Sequence, residues 1–213
     1  MDRTMRRILF FICFAIGMLG WAQKAAVKAH IVIIHGYDAS PEQHWFPYLK
    51  QAFEREGCKV SVLTMPTPAT PVYSQWAATI AKEVPVLDKH TYIIAHSLGT
   101  ITTLRYLSEM KKLPKIGGIV LVSALDTKLG DFAFLNDFIP KTVDYPKLIK
   151  KVKLRAVISA KDDDIVPFAY SEAVAQRLHA DWYPLEYGKH FLDRGGYTEF
   201  SLVKEIVMRA IRK

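Results

Sequence analysis

The sequence predicts a doubly wound α/β fold built on a mostly parallel sheet of about six strands. Short runs rich in Ile, Val and Leu recur along the chain, and segments with helical spacing of apolar residues separate them. Runs such as 30–35 and 117–123 are almost continuously apolar, which is typical of strands buried on both faces of a parallel sheet. Alternation of this kind places all the strand C-termini at one edge, where sites form on such sheets.

The predicted strands and helices alternate along the chain, except that no helix is predicted between the fourth and fifth strands. The strands are predicted at 30–35, 59–65, 92–95, 117–123, 154–160 and 181–185. The helices are predicted at 40–56, 72–84, 100–110, 170–178 and 198–212. Ser40, Pro41 and Gln43 have the pattern of a capping box that starts the first helix. The segment 124–150 is the least regular part of the chain.

The first 22 residues differ from the rest of the chain. Three arginines, at positions 3, 6 and 7, precede an uncharged run of 15 residues, 8–22. This run is shorter than the ~20 residues that span a bilayer, and it fits the apolar region of a secretory signal cleaved before Gln23. An uncleaved membrane anchor is the alternative. We therefore expect 1–22 to be a signal peptide or anchor, 23–213 to be a single α/β domain, and the protein to be exported (periplasmic or secreted) or held at a membrane.

The amino-acid composition argues against several classes of partner and ligand. The 29 basic and 21 acidic residues give a formal charge of +8, but the basic residues are scattered and lack the interleaved aromatic residues of a nucleic-acid platform. We therefore expect no nucleic-acid partner and a monomer. Cys58 is the only cysteine after residue 22, so no internal disulfide is expected in the domain. No spacing of histidines or carboxylates calls for a metal.

The octapeptide Tyr92–Gly99 has the spacing of a nucleophilic serine on a strand-to-helix turn. An apolar strand leads into Ser97, and Ala95 and Gly99 lie two residues before and after it. Small residues there let the strand and helix pack closely while the serine holds a strained backbone that exposes its hydroxyl. The alternative is an ordinary N-cap serine at a strand–helix junction.

The rest of the chain supplies the partners that such a serine needs. A histidine must accept the proton of the hydroxyl, and a carboxylate must orient that histidine. In nucleophile-elbow enzymes the order is serine, acid, histidine. Here the strand 154–160 is followed by three aspartates, 162–164, and the strand 181–185 is followed by His190. We therefore predict that Ser97 is the nucleophile, that His190 is the base and that one of the three aspartates is the acid.

Two backbone amides are predicted to form an oxyanion hole. One is the amide of Leu98, just after the nucleophile, and the other is the amide of Tyr37, in the loop that follows the first strand. Gly36 would permit the sharp turn before Tyr37.

Other aromatic side chains are candidates for the substrate cleft. We expect substrate contacts from His35, Trp45, Phe134 and Phe138. For His35 a buried, hydrogen-bonded ring is the alternative, and for the phenylalanines it is packing of an irregular loop onto the sheet. His44 fits either a cleft wall or surface packing, whereas His96 is expected to pack without reacting.

Four segments together carry a family resemblance. They read H-G-Y-D-A-S-P-E-Q-H-W-F-P-Y-L (35–49), A-H-S-L-G (95–99), D-D-I-V-P (163–167) and G-K-H-F (188–191). They are similar to segments of the α/β hydrolases, and in particular of the small serine hydrolases of the YdeN and retinoblastoma-binding protein nine type. The first segment is the most specific of the four.

This resemblance implies a compact α/β hydrolase without a large cap. The D-x-[IV]-V-P loop of the family has its acid four residues before the proline, which implies Asp163 as the acid, ahead of Asp164 and then Asp162. The resemblance also implies carboxylesterase-like hydrolysis of small acyl esters through a Ser-His-Asp triad and without a cofactor. A peptidase or amidase acting on small substrates is one alternative, and a binding protein with little turnover is another.

Overall fold

The computed structural model describes residues 27–213, in which all six strands pair in parallel into one sheet. The strand order is β2-β1-β3-β4-β5-β6. In chain order the strands are β1 (His30–Ile34), β2 (Lys59–Leu63), β3 (Thr91–His96), β4 (Ile116–Val122), β5 (Val152–Ala160) and β6 (Asp181–Leu185). The predicted signal peptide or anchor, 1–22, lies outside the described residues.

Helices connect the strands throughout the described part of the chain. The α-helices are α1 (Phe46–Arg55), α2 (Tyr73–Glu83), α3 (Leu98–Glu109), α4 (Tyr145–Lys151), α5 (Phe168–Leu178) and α6 (Ser201–Ile211). Two 3-10 segments, Gly130–Phe138 and Asp193–Gly195, follow β4 and β6. Between residues 27 and 213, no helix combines the length and the apolar character needed to cross a membrane.

Two apolar cores, one on each face of the sheet, explain the continuous apolar strands. β3 is buried along its whole length, and its successive side chains enter different cores. Tyr92 and Ile94 pack in the core that α1 and α6 cover, whereas Ile93 and Ala95 pack in the core under α2, α3, α4 and α5. Alternate residues of a strand point to opposite faces, so a strand covered on both sides must be apolar at every position. The doubly wound parallel sheet predicted from the sequence is confirmed.

The strand order creates a crevice at the C-terminal edge. β1 lies between β2 and β3, and the chain leaves β1 through α1 on one face but leaves β3 through α3 on the other. Because the two connections run to opposite faces of the sheet, a crevice opens between the C-terminal ends of β1 and β3. Ligands bind in such a crevice in doubly wound sheets. The residues that follow β1 and β3 are therefore candidates for a ligand-binding site.

Two stretches of the chain differ from the sequence prediction. The first helix begins at Phe46 rather than near Ser40, although the backbone amide of Ser40 does donate to Oε1 of Gln43 at 2.8 Å. This contact closes a turn and starts no helix, because His44 has a left-handed backbone (φ 55°) that a continuous helix cannot contain. The irregular segment 124–150 contains the 3-10 segment Gly130–Phe138 and most of α4. Neither was predicted, because the apolar residues of this segment show only weak periodicity.

Gly99 allows α3 to begin directly against the end of β1. A Cβ atom at this position would lie 2.5 Å from the carbonyl oxygen of Ile34 and 2.7 Å from that of His35. Both contacts are with backbone, which cannot move aside without shifting β1. We therefore predict that Gly99→Ala lowers the free energy of unfolding by about 2 kcal/mol, the usual cost of overpacking a core.

Urea denaturation with Gly130→Ala as the matched control tests this prediction. No heavy atom lies within 4 Å of a Cβ built at Gly130, so the control variant should unfold like the unmodified protein. Equal stability of the two variants would contradict the assignment of a close contact to Gly99.

Candidate active site

Ser97 lies in a strained turn between β3 and α3. Its backbone has φ 52° and ψ −121°, a conformation that a non-glycine residue adopts only when its surroundings hold it there. The amide of Ser97 donates to the carbonyl of Val122 at 2.9 Å, and Oγ1 of Thr100 donates to the carbonyl of Ser97 at 2.6 Å. Thr100 in turn accepts from the amide of Leu125 at 3.3 Å. The turn is therefore fixed from β4 and from the first turn of α3.

Gly36 brings the loop after β1 into contact with Ser97. A Cβ atom at Gly36 would lie 2.9 Å from Cβ and 3.5 Å from Oγ of Ser97. The backbone of Gly36 is not left-handed, so this glycine is needed for close approach and not for a special turn. The next residue, Tyr37, lines the same cavity as Leu98 and Ser97. The two amides that the sequence suggested for an oxyanion hole therefore belong to residues that flank the serine.

A continuous chain of hydrogen bonds joins three side chains that are far apart in the sequence. Nε2 of His190 lies 2.9 Å from Oγ of Ser97, and Nδ1 of His190 lies 2.9 Å from Oδ1 of Asp163. Because a carboxylate only accepts hydrogen bonds, Nδ1 carries the imidazole proton and Nε2 is free to accept the serine proton. His190 is 4% exposed, so this chain is shielded from bulk water.

The surroundings of Asp163 keep its carboxylate ionised. Besides His190, Oγ of Ser123 donates to Oδ2 at 2.7 Å, and the amides of Ile165 and Val166 donate to Oδ1 at 3.0 and 2.9 Å. Burial alone would raise the pKa of Asp163, but the hydrogen bonds from His190 and Ser123 outweigh it and lower the pKa below its usual value. The contact between Ser123 and Asp163 was not predicted from the sequence, although Ser123 directly follows β4, next to the end of β5.

Asp162 holds the loop that carries His190. Its Oδ1 accepts hydrogen bonds from the amides of Gly188 and Lys189, both at 2.8 Å. Lys189 has a left-handed backbone (φ 46°), so these contacts fix a turn that is otherwise unfavourable. Asp164 is exposed and lies near His190 in a shallow surface depression. Of the three consecutive aspartates, only Asp163 contacts the imidazole of His190.

Two further side chains hold the same loop from the core under α1. Nε2 of His96 donates to the carbonyl of His190 at 2.9 Å, and Nε1 of Trp45 donates to the carbonyl of Phe191 at 3.1 Å. Burial lowers the pKa of His96 well below its usual value, and the nearby His190 lowers it further, so His96 is neutral. These bonds position the base, which gives His96 a structural role beside its packing.

A cavity of about 370 Å³ opens in front of Ser97 and His190. One wall is apolar and belongs to the core under α2, α3, α4 and α5; it comprises Leu125, Leu129, Phe132, Leu135, Ile139 and Ile165. A second wall is polar and comes from the loops after β1 and β6; it includes Gln43, His44, Asp193 and Arg194. This volume suits a small ligand. Within residues 27–213, no three His, Cys, Asp or Glu side chains form a group that could hold a metal ion.

The four side chains suggested by the sequence for substrate contacts lie outside the wall of this cavity as residues 27–213 form it. His35 is buried, and both its ring nitrogens are hydrogen-bonded to backbone groups. Trp45 and Phe138 are fully buried in the cores. Phe134 is 58% exposed and packs edge-on against Tyr37, with a ring-centroid distance of 5.3 Å. Three of these four rings are therefore buried packing residues, and the fourth, that of Phe134, lies at the surface.

Comparisons with known proteins identify relatives over most of the chain. A family model described as serine hydrolase matches residues 31–209. The chain is 38% identical over 177 residues to a Bacillus subtilis (strain 168) protein named as a hydrolase, YdeN, covering 83% of this chain and 93% of that protein. It is 28% identical over 187 residues to the serine hydrolase RBBP9 of Rattus norvegicus, covering 84% and 93% of the two chains.

Solved structures place the same architecture in a wider group. The crystal structure of the B. subtilis ydeN gene product matches with a TM-score of 0.84 and 37% identity, over 87% of this chain and all of that one. Polyneuridine aldehyde esterase, at 13% identity, matches with a TM-score of 0.62 over 85% and 98% of the two chains, which shows a shared fold. The chain has the α/β-hydrolase fold and belongs to the serine hydrolase family.

Proposed function

We propose that this protein hydrolyses small acyl esters through Ser97, His190 and Asp163. The observation that carries the proposal is the unbroken hydrogen-bond chain from Oγ of Ser97 through the imidazole of His190 to Asp163, with 2.9 Å at each step. A serine hydroxyl becomes a nucleophile when a histidine accepts its proton and a carboxylate stabilises the imidazolium that forms.

The first half of the reaction forms an acyl-enzyme. Oγ of Ser97 attacks the ester carbonyl while Nε2 of His190 takes its proton, and the carbonyl oxygen becomes an oxyanion. The amides of Leu98 and Tyr37 are the proposed donors to this oxyanion, and each donor of this kind contributes about 3 kcal/mol to the transition state. His190 then gives the proton to the alkoxy oxygen, and the alcohol leaves.

The second half releases the acid. A water molecule loses a proton to Nε2 of His190 and attacks the acyl carbonyl, and Oγ of Ser97 leaves with that proton. Asp163 stays ionised throughout, which its depressed pKa supports. Apart from the attacking water, all groups needed for both half-reactions come from the chain itself, so the proposal calls for no cofactor.

The cavity supports a small, apolar acyl group. The six side chains of the apolar wall can surround such a group, and a cavity of about 370 Å³ leaves little room for a long chain or a folded polypeptide. An amidase acting on small substrates would use the same three residues. Hydrolysis of p-nitrophenyl butyrate without cleavage of aminoacyl amides supports the ester proposal, and the reverse result replaces it with the amidase.

Replacing the nucleophile tests the role of Ser97. We predict that Ser97→Ala lowers kcat for p-nitrophenyl butyrate on the order of 10⁶-fold with the fold retained, because no other group can form the acyl-enzyme. Ser108→Ala, near the other end of α3, is the matched control and should retain activity. Unreduced turnover by Ser97→Ala, with its circular dichroism spectrum unchanged, would show that the reaction uses another residue.

Substituting two neighbouring aspartates, one at a time, tests which of them orients His190. We predict that Asp163→Asn lowers kcat by about 10⁴-fold, because an amide can neither stabilise an imidazolium nor enforce the imidazole tautomer that leaves Nε2 unprotonated. Asp164→Asn removes the same charge one residue later from an exposed position, and it should leave kcat close to that of the unmodified enzyme. Equal losses in the two variants would point to a general effect of charge and would exclude Asp163 as the orienting acid.

A further inference from the structure

We propose that His44 forms a leaving-group subsite in which its Nε2–H donates a hydrogen bond to an oxygen atom of the departing alcohol. The inference rests on the proposed ester hydrolysis and names its substrate class. That class consists of esters between a small apolar acid and an alcohol that carries an ether or hydroxyl oxygen close to the ester.

The chemistry of the base decides which wall faces the leaving group. His190 must give its proton to the alkoxy oxygen, so the alcohol lies on the same side of Ser97 as the imidazole of His190. The rings of His96 and His190 are 4.8 Å apart between centroids, and those of His44 and His96 are 6.2 Å apart. His44 and His190 thus both lie against the ring of His96, which places His44 on the side of the cavity where the base lies.

The two walls of the cavity come from opposite faces of the sheet. The apolar wall belongs to the core under α2, α3, α4 and α5, whereas the ring of His44 packs edge-on against Phe46 in the other core, with a centroid distance of 5.6 Å. An acyl group in the apolar wall leaves the alcohol to extend along the polar wall. His44 and Arg194, both in this wall, carry hydrogen-bond donors.

The hydrogen bonding of His44 fixes which nitrogen is the donor. The amide of Asp193 donates to Nδ1 of His44 at 3.2 Å. Oδ1 of Asp193 also lies 3.3 Å from Nδ1, but this contact lacks the geometry of an N–H hydrogen bond, so Nδ1 is the acceptor of the amide and the proton of the neutral ring is on Nε2. Burial lowers the pKa of His44, although Asp193 partly opposes this, and the ring is therefore neutral at pH 7. Within residues 27–213, Nε2 has no hydrogen-bond partner, and the side chain lines the cavity.

The backbone of His44 gives an independent reason to assign it a function. Its φ of 55° is left-handed, and this is also the residue at which the expected first helix fails to form. Strained non-glycine residues of this kind cluster at ligand sites, because the surrounding structure must be built to hold them. The side chain is only 9% exposed, and the proposed mechanism makes no use of it.

Two esters that differ in one atom test the subsite. In 2-methoxyethyl butyrate an ether oxygen replaces one methylene of butyl butyrate, so the acyl group, the length and the reacting carbonyl are the same. Normalised to alkaline hydrolysis of each ester, kcat/KM of the unmodified full-length enzyme should favour the methoxyethyl ester about threefold to tenfold. This range corresponds to one net hydrogen bond.

Substitutions at His44 assign the preference to its Nε2–H. His44→Phe keeps a ring against Phe46 but removes the donor, so the preference should fall to about onefold. His44→Gln should keep the preference, because its amide nitrogen lies where Nε2 was. His44→Asn tolerates the left-handed backbone but is too short to reach, and it serves as the second donor-removing variant if His44→Phe does not fold. His90→Phe, on an exposed residue at the opposite edge of the sheet, is the control that should leave the preference unchanged.

The outcomes separate this inference from the proposed function. Butyl butyrate hydrolysed with no preference for the methoxyethyl ester, or a preference that persists in both folded donor-removing variants, would overturn the subsite and leave the esterase intact. Failure to hydrolyse butyl, methoxyethyl or p-nitrophenyl butyrate would overturn the esterase proposal and the subsite with it. A preference that is lost in His44→Phe or His44→Asn and kept in His44→Gln establishes the subsite.

Discussion

Ser97 has a strained backbone, and the contacts that maintain it also bring the other residues of the site into place. A left-handed serine at the end of β3 aims its hydroxyl away from the sheet, but it does so only while neighbouring backbone holds the turn. Gly36 and Gly99 let β1 and its following loop approach within contact distance of this turn. The same approach brings Tyr37 and Leu98 beside the serine, so the conformation that exposes the nucleophile also assembles the proposed oxyanion hole.

His190, the proposed base, is also fixed by several hydrogen bonds, although its loop is short and partly exposed. Asp162, His96 and Trp45 bind the backbone of residues 188–191 from different elements, and none of them takes part in the proposed proton transfers. Proton transfer to a histidine depends on its distance from the hydroxyl, and a misplacement of about 1 Å can cost 10²-fold in rate. These side chains next to the proposed triad thus act by fixing its geometry.

Much of the fold and the centre of the site could be predicted from the sequence. Apolar runs located the four central strands, because burial on both faces leaves a continuous signal that local context does not disturb. The edge strands β2 and β6 are mostly half-buried or exposed, and their segments carry a weaker apolar signal. The order of Ser97, the aspartates and His190, each following a strand, predicted side chains that the structure brings within hydrogen-bond distance.

The substrate cleft was harder to predict, for physical reasons. Aromatic side chains such as Trp45 and Phe138 serve equally well in a core or in a cleft, and only the packing of distant helices decides between the two. His44 depends on a left-handed backbone, and a capping-box pattern at Ser40 predicted a helix through the same position. Ser123 acts through a contact with Asp163, 40 residues away, which no local pattern encodes.

We propose that the turn at Ser97 presents a nucleophile and an oxyanion hole as one preorganised unit. A crystal structure of the enzyme after reaction with a fluorophosphonate ester tests this most directly, because the bound phosphonyl group imitates the tetrahedral intermediate. We expect phosphorus bonded to Oγ of Ser97 and its free oxygen about 3 Å from the amide nitrogens of Leu98 and Tyr37. An unmodified Ser97, or a phosphonyl oxygen that points away from both amides, would show that the turn does not form such a unit.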